Sequence, residues 1–118
     1  MDGSKRREIA DFLTEFKNIV VNGRGLDVMP RGKNNLALIE LGITERNRKD
    51  EILSLFINDY CEGPEKDSDK PGYIWVFGKT VNGREAYIKL KIAQVDKEKI
   101  AKCISFHPAE FPLSYPAR

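Results

Sequence analysis

A chain of 118 residues that is 41% hydrophobic, 32% charged and 9% aromatic has the composition of an ordinary globular protein, with room for one domain, residues 1–118, around a single core. No apolar run approaches the roughly 20 residues that cross a bilayer, and the opening MDGSKRRE lacks the apolar centre of a signal peptide, so a cytoplasmic protein without a membrane partner is expected. Twenty basic and 18 acidic residues leave a net charge of only +2, so the placement of charges, not their sum, has to point to a partner.

The first periodic segment is SKRREIADFLTEFKNIVV, where Ile9, Phe12, Leu13, Phe16, Ile19 and Val20 recur at helical spacing. Ser4 is the expected cap and Asn22-Gly23 the expected stop. GRGLDVMPRGKNN, rich in Gly, Pro and Arg, reads as a loop with a short extended piece. A short helix over Asn34 to Leu41 then stops at Gly42, and Thr44 caps a further helix through RNRKDEILSLFI with a buried stripe of Ile52, Leu55 and Phe56. CEGPEKDSDKPG reads as a polar linker to the second half.

There the period changes. GYIWVFGKTV and REAYIKLKIA alternate apolar and polar residues and are joined by Asn82-Gly83, a strong signal for a two-residue hairpin. With Val81 opposite Arg84, Phe77 meets Ile88, Trp75 meets Leu90 and Tyr73 meets Ile92 on one apolar face. On the other face Gly78 meets Tyr87, Val76 meets Lys89 and Ile74 meets Lys91. IAKCISFH supplies a third strand, with Ile104 and Phe106 inward and Cys103, Ser105 and His107 outward. Helices first and a small antiparallel sheet afterwards make an α+β domain whose helices cover the apolar face.

The polar face thus gathers Tyr87, Lys89, Lys91 and the chain's single histidine, His107. Lysines on a solvent-facing strand can serve only to discourage edge pairing. They also hold phosphate by charge, while a phenol or an imidazole can transfer protons. Other constellations fall away on inspection. RGK at 31–33 lacks the flanking residues of a phosphate loop, and GRG at 23–25 is too short for a dinucleotide fingerprint. Asp67 and Asp69 lack the glycine and distal glutamate of a calcium loop. Ser105 and His107 have no nucleophile elbow, and Cys61 and Cys103 form no CxxC pair, so no metal site is expected and the thiols are expected to be free.

ELGIT, RKDEILSLFINDY, YIWVFGK, GREAYIKLKI and CISFH, in this order and spacing, resemble the MqsR family of bacterial type II toxins over roughly Leu26 to His107. The resemblance implies a RelE/ParE-like fold, cleavage of messenger RNA without a metal ion or other cofactor, and a cognate DNA-binding antitoxin that holds the toxin inactive. The family's functional tyrosine matches Tyr87, in AYIK, and its basic residue on the last strand falls at His107, where histidine stands in an SFH context. Its helical lysine aligns near Lys49 or Asp50, of which Lys49 is taken, and the glutamine after its tryptophan is Val76 here.

The expected reaction is attack of an RNA 2′-hydroxyl on the adjacent phosphorus. His107, Tyr87 and Lys89 are the catalytic candidates, and Lys91, Lys79, Arg84 and Lys49 are the RNA-binding ones. Histidine, whose ordinary pKa is ~6.5, suits proton transfer near neutrality. Two other readings of the same fold have no turnover: a ParE-like inhibitor of gyrase, and an RNA-binding regulator that uses the lysines as a phosphate platform.

Overall fold

Apolar spacing builds the first element as expected: α1, Gly3–Asn22, buries Ile9, Phe12, Leu13, Phe16, Ile19 and Val20 along one stripe. In the computed structural model, which describes residues 1–118, its cap is Asp2 and not Ser4; the Asp2 carboxylate accepts the Lys5 backbone N–H at 2.8 Å, and Ser4 already lies inside the first turn. The chain then forms β1 (Leu26–Val28), α2 (Gly32–Leu41), α3 (Glu45–Leu53), a 3₁₀ turn at Ile57–Asp59, and strands β2 (Tyr60–Lys66), β3 (Tyr73–Val81), β4 (Arg84–Val95) and β5 (Glu98–Pro108). No helix is long and apolar enough to cross a membrane.

The five strands lie in the order β1-β5-β4-β3-β2. The sheet is mixed where an antiparallel one was expected, because the short extended piece after α1 pairs parallel with β5, Leu26 beside Ala101 and Val28 beside Cys103. Parallel pairing needs a long connection, and the two helices and three strands between β1 and β5 supply it. The expected linker is also partly a strand: β2 pairs antiparallel with β3, through two irregularities of register that no alternating pattern announces.

The hairpin has the expected register, from Val81 opposite Arg84 to Ile74 opposite Lys91. Asn82 and Gly83 take positive φ angles of 49° and 80°, as a tight hairpin turn requires. Tyr73 departs from the apolar face assigned to it; it opens β3 beside Lys66 and is largely exposed.

The core lies between α1 and the inner sheet face. Phe12 stacks on Trp75 with centroids 4.7 Å apart, a contact worth ~0.5–1.5 kcal/mol beyond the area it buries. Thr44 caps α3 through a reciprocal pair with Asn47. α3 ends at Leu53, so Ile52 and Leu55 are buried as expected while Phe56, past the helix end, is exposed.

Candidate functional site

Two registers assemble the outer face of the sheet. The hairpin sets Gly78 beside Tyr87 and Val76 beside Lys89, and the β4–β5 pairing sets Tyr87 beside His107 and Lys89 beside Ser105. Directly opposed side chains on one face touch, and the Tyr87 and His107 rings stack with centroids 5.5 Å apart and planes 24° from parallel.

Strict alternation along β5 does not produce this placement. A register shift falls between Lys89 and Leu90, with Ser105 opposite the first and Cys103 opposite the second, so Ile104 is the extra residue of a bulge. Cys103, expected outward, therefore turns into the core with no exposed surface. Ser105 and His107 keep the outer face.

Asn34, fully buried in α2, holds the bulged segment. Its side-chain amide donates to the Ile104 carbonyl at 2.9 Å and accepts the Phe106 N–H at 2.9 Å, occupying the edge of β5 beyond the end of β1 as a neighbouring strand would. It also donates to the Met29 carbonyl at 3.0 Å. Three hydrogen bonds from one buried amide explain a polar residue in the apolar interior.

Walls rise on two sides of this floor to enclose a concavity of about 380 Å³. Arg31 and Lys33, at the start of α2, form one wall. The other is the segment after β5, with Glu110, Phe111 and Leu113. That segment folds back over the outer face and is pinned by Glu85, whose carboxylate accepts the Leu113 N–H at 3.2 Å and the Tyr115 hydroxyl at 2.7 Å. Gly78 makes the crossing possible, since a Cβ there would stand 2.5 Å from Leu113 Cδ1 and 2.6 Å from the Tyr115 hydroxyl.

Charge and protonation differ from one side chain to the next. Burial pushes the Tyr87 hydroxyl above its ordinary value, and the negative charges of Glu62 and Glu65 add to the shift, so the phenol stays protonated near neutrality and is a donor. His107 Nδ1 lies 2.9 Å from the Pro108 carbonyl oxygen. A carbonyl only accepts, so in this contact Nδ1 carries the proton, and in the neutral ring the lone pair is then on Nε2. Lys89 has no ion-pair partner, and its Nζ lies 5.9 Å from the centre of the Tyr87 ring. Lys33 is paired with Glu110 across the mouth, and this contact holds the Glu110 carboxyl below its usual range. A phenol donor, an imidazole acceptor and an unpaired cation on one concave floor can bind a phosphodiester and move protons at it.

The other cations expected to bind RNA lie elsewhere. Lys91 is buried and bound to Asp67 at 2.6 Å. Lys79 turns to the helix side of the sheet, where it meets the Ser54 hydroxyl at 2.6 Å and Glu51 at 3.4 Å. Arg84 sits at the hairpin end and donates to the Glu40 carbonyl at 3.2 Å. Lys49 is exposed on α3, beside a different groove. Both thiols are free, and burial pushes each up to about 12, which makes them poor nucleophiles.

Arg31, Lys33, Glu110 and Phe111 border the concavity without having been singled out as site residues. RGK is visible in the sequence as a basic cluster, but it fits no phosphate-loop pattern, and nothing local ties it to the face that holds Tyr87. Nothing local marks the segment after β5 as a wall, because its partner Glu85 is on another strand. Set against known proteins, the chain matches no family model, no curated protein and no solved structure.

Proposed function

We propose that this chain is the toxin of a bacterial type II toxin–antitoxin pair, a RelE/ParE-like endoribonuclease that cuts messenger RNA and is held inactive by a cognate antitoxin protein. The resemblance of its ordered motifs to MqsR toxins supports the biological role. The observation that carries the chemistry is the stacked Tyr87–His107 pair beside the unpaired Lys89, in a concavity bordered by Arg31 and Lys33.

In this reading a phosphodiester lies over Lys89 and Arg31. His107 Nε2 takes the proton of the 2′-hydroxyl as its oxygen bonds to phosphorus. The bond from phosphorus to the 5′ oxygen breaks, and that oxygen receives the Tyr87 proton. The products are a 2′,3′-cyclic phosphate and a free 5′-hydroxyl, and the resulting imidazolium and phenolate are neutralised by return of the proton from one stacked ring to the other. Lys89, close to the Tyr87 ring, favours the charge that develops on the phosphorane. No metal ion or other cofactor enters these steps.

The test is incubation of the purified protein with synthetic single-stranded RNA in excess chelator. Cleavage with a cyclic-phosphate end is expected, as is arrest of bacterial growth on expression and its rescue by an antitoxin encoded beside the gene. Folded protein that binds RNA and never cuts it would leave a binding module in place of an enzyme.

A further inference from the structure

Arg48 is buried without a counter-charge. It lies in α3 with 6% of its surface exposed, and no carboxylate pairs with it. Its Nη1 donates to the Asn34 carbonyl at 2.9 Å, while its buried Nε has no partner at all. A guanidinium carries five N–H donors, and taking one out of water unpaired is costly enough that proteins supply an anion or a set of acceptors. Here the protein supplies one carbonyl; Nε is closed off from solvent, and Nη2, which keeps part of the residue's remaining exposed surface, is the donor that can be met from outside.

The surroundings suggest what supplies the rest. Arg48 forms part of the wall of an open groove of about 840 Å³ between the end of α1, the edge strand β1 and α3. Arg24, Arg46 and Lys49 stand on the same walls, opposed by only Glu45 and Asp50. Arg24 is shared with Glu98, but Arg46 and Lys49 are exposed and unpaired, and their spacing of three residues sets them side by side on the helix.

We infer that this groove is a second anion site that takes a phosphate group, with Arg48 as its buried donor and Arg46 and Lys49 at its entrance. A phosphate suits the site better than a lone carboxylate, because its oxygens can accept from an arginine fork and from two further cations at once. The inference does not depend on ribonuclease chemistry. It also assigns a place to Lys49, which lies here and not among the side chains around Tyr87. One hydrogen bond links the two concavities: Arg48 holds the Asn34 backbone, and the Asn34 side chain holds the bulge that carries Ser105 and His107.

The phosphate could be free or part of a nucleic-acid backbone, and two titrations separate these. The full chain, labelled with ¹⁵N, is titrated with inorganic phosphate and, separately, with a short 2′-O-methyl RNA that has no terminal phosphates and cannot undergo 2′-hydroxyl attack. The Arg48 Nε–Hε signal is followed together with the amides of Arg46, Lys49, Tyr87 and His107. A saturable change at Arg48 is expected in at least one titration, and it should weaken about tenfold in the double variant Arg46→Ala/Lys49→Ala, whose exposed positions leave the fold and its melting temperature intact.

A response to inorganic phosphate alone assigns a free or terminal phosphate, and a response to the RNA assigns a backbone phosphate. No saturable change at Arg48 in either titration, or an affinity unaltered in the double variant, overturns the site. Changes confined to Tyr87 and His107 also overturn it while leaving the ribonuclease reading standing. A response at Arg48 from a protein that never cuts RNA would uphold the groove and remove the enzyme.

Discussion

Lys89 and Lys91 leave the same strand on the same side, two residues apart, and meet opposite surroundings. Lys89 stands unpaired beside Tyr87 and His107. Lys91 is enclosed and neutralised by Asp67 at 2.6 Å, contributed by the polar segment between β2 and β3. An alternating strand pattern assigns both lysines to one solvated surface. The cover over each end of that surface decides which of them can meet a ligand, and only one end stays open.

The largest expected effect belongs to the open end. Tyr87→Phe and His107→Ala should each lower single-turnover RNA cleavage by roughly 10² to 10⁴, the usual loss for a general acid or base; Tyr87→Phe keeps the stacked ring and should change stability by no more than about 0.5 kcal/mol, whereas His107→Ala gives up the stack and about 0.5–1.5 kcal/mol with it. Lys91→Met at the closed end should leave the rate of the folded protein as it was. Rates and melting temperatures measured on all three would dissolve the contrast if both ring variants still cut RNA at full speed.

Removing the support beneath the open end comes next. Asn34→Ala strands the buried Phe106 N–H and Ile104 carbonyl, and at ~1–3 kcal/mol per unsatisfied group a loss of roughly 2–6 kcal/mol is expected, read from the denaturant midpoint. A loss below about 0.5 kcal/mol would show that the bulge holds itself.

Binding sharpens the comparison on a smaller scale. Lys89→Ala should weaken RNA affinity and reduce the slope of log affinity against log salt by about one, as loss of one phosphate contact does. Lys91→Met should alter neither. Equal effects from both lysines would mean that the Asp67 pair opens in solution.

The smallest effect is a pH dependence of the closed end. The hydrogen bond from Lys91, helped by the Asp69 and Lys70 backbone N–H groups, lowers the Asp67 carboxyl to about 2. A depressed folded pKa stabilises above the unfolded value of ~3.9 and is lost as pH falls from there towards about 2. Melting temperature should therefore drop across that window in the native chain and drop less in Asp67→Asn, which is already destabilised at neutral pH because it leaves Lys91 enclosed without an anion. Parallel curves for the two proteins would remove the pair from acid stability.

What could be read from the sequence was determined over short stretches of chain. The stripe of α1, the Thr44 cap, the Asn82-Gly83 turn and the register it imposes depend on residues within a turn or two of one another, and that register is enough to put Tyr87 and Lys89 on one face. His107 reached that face with them, but by a route that alternation misdescribes, since the Ile104 bulge sends Cys103 inward and leaves His107 out.

Contacts between distant residues decided the rest. Asp67 lies 24 positions from the lysine it neutralises, and Asn34 lies 72 positions from the Phe106 amide it holds. β1 has its parallel partner in β5, at the other end of the chain, and the wall built by Phe111 and Leu113 hangs on Glu85 from another strand. Periodicity and turn chemistry reach only a few residues along the chain. The partner of a charge, the cover of a strand and the counter-ion that Arg48 lacks are set by which surfaces meet when the core closes.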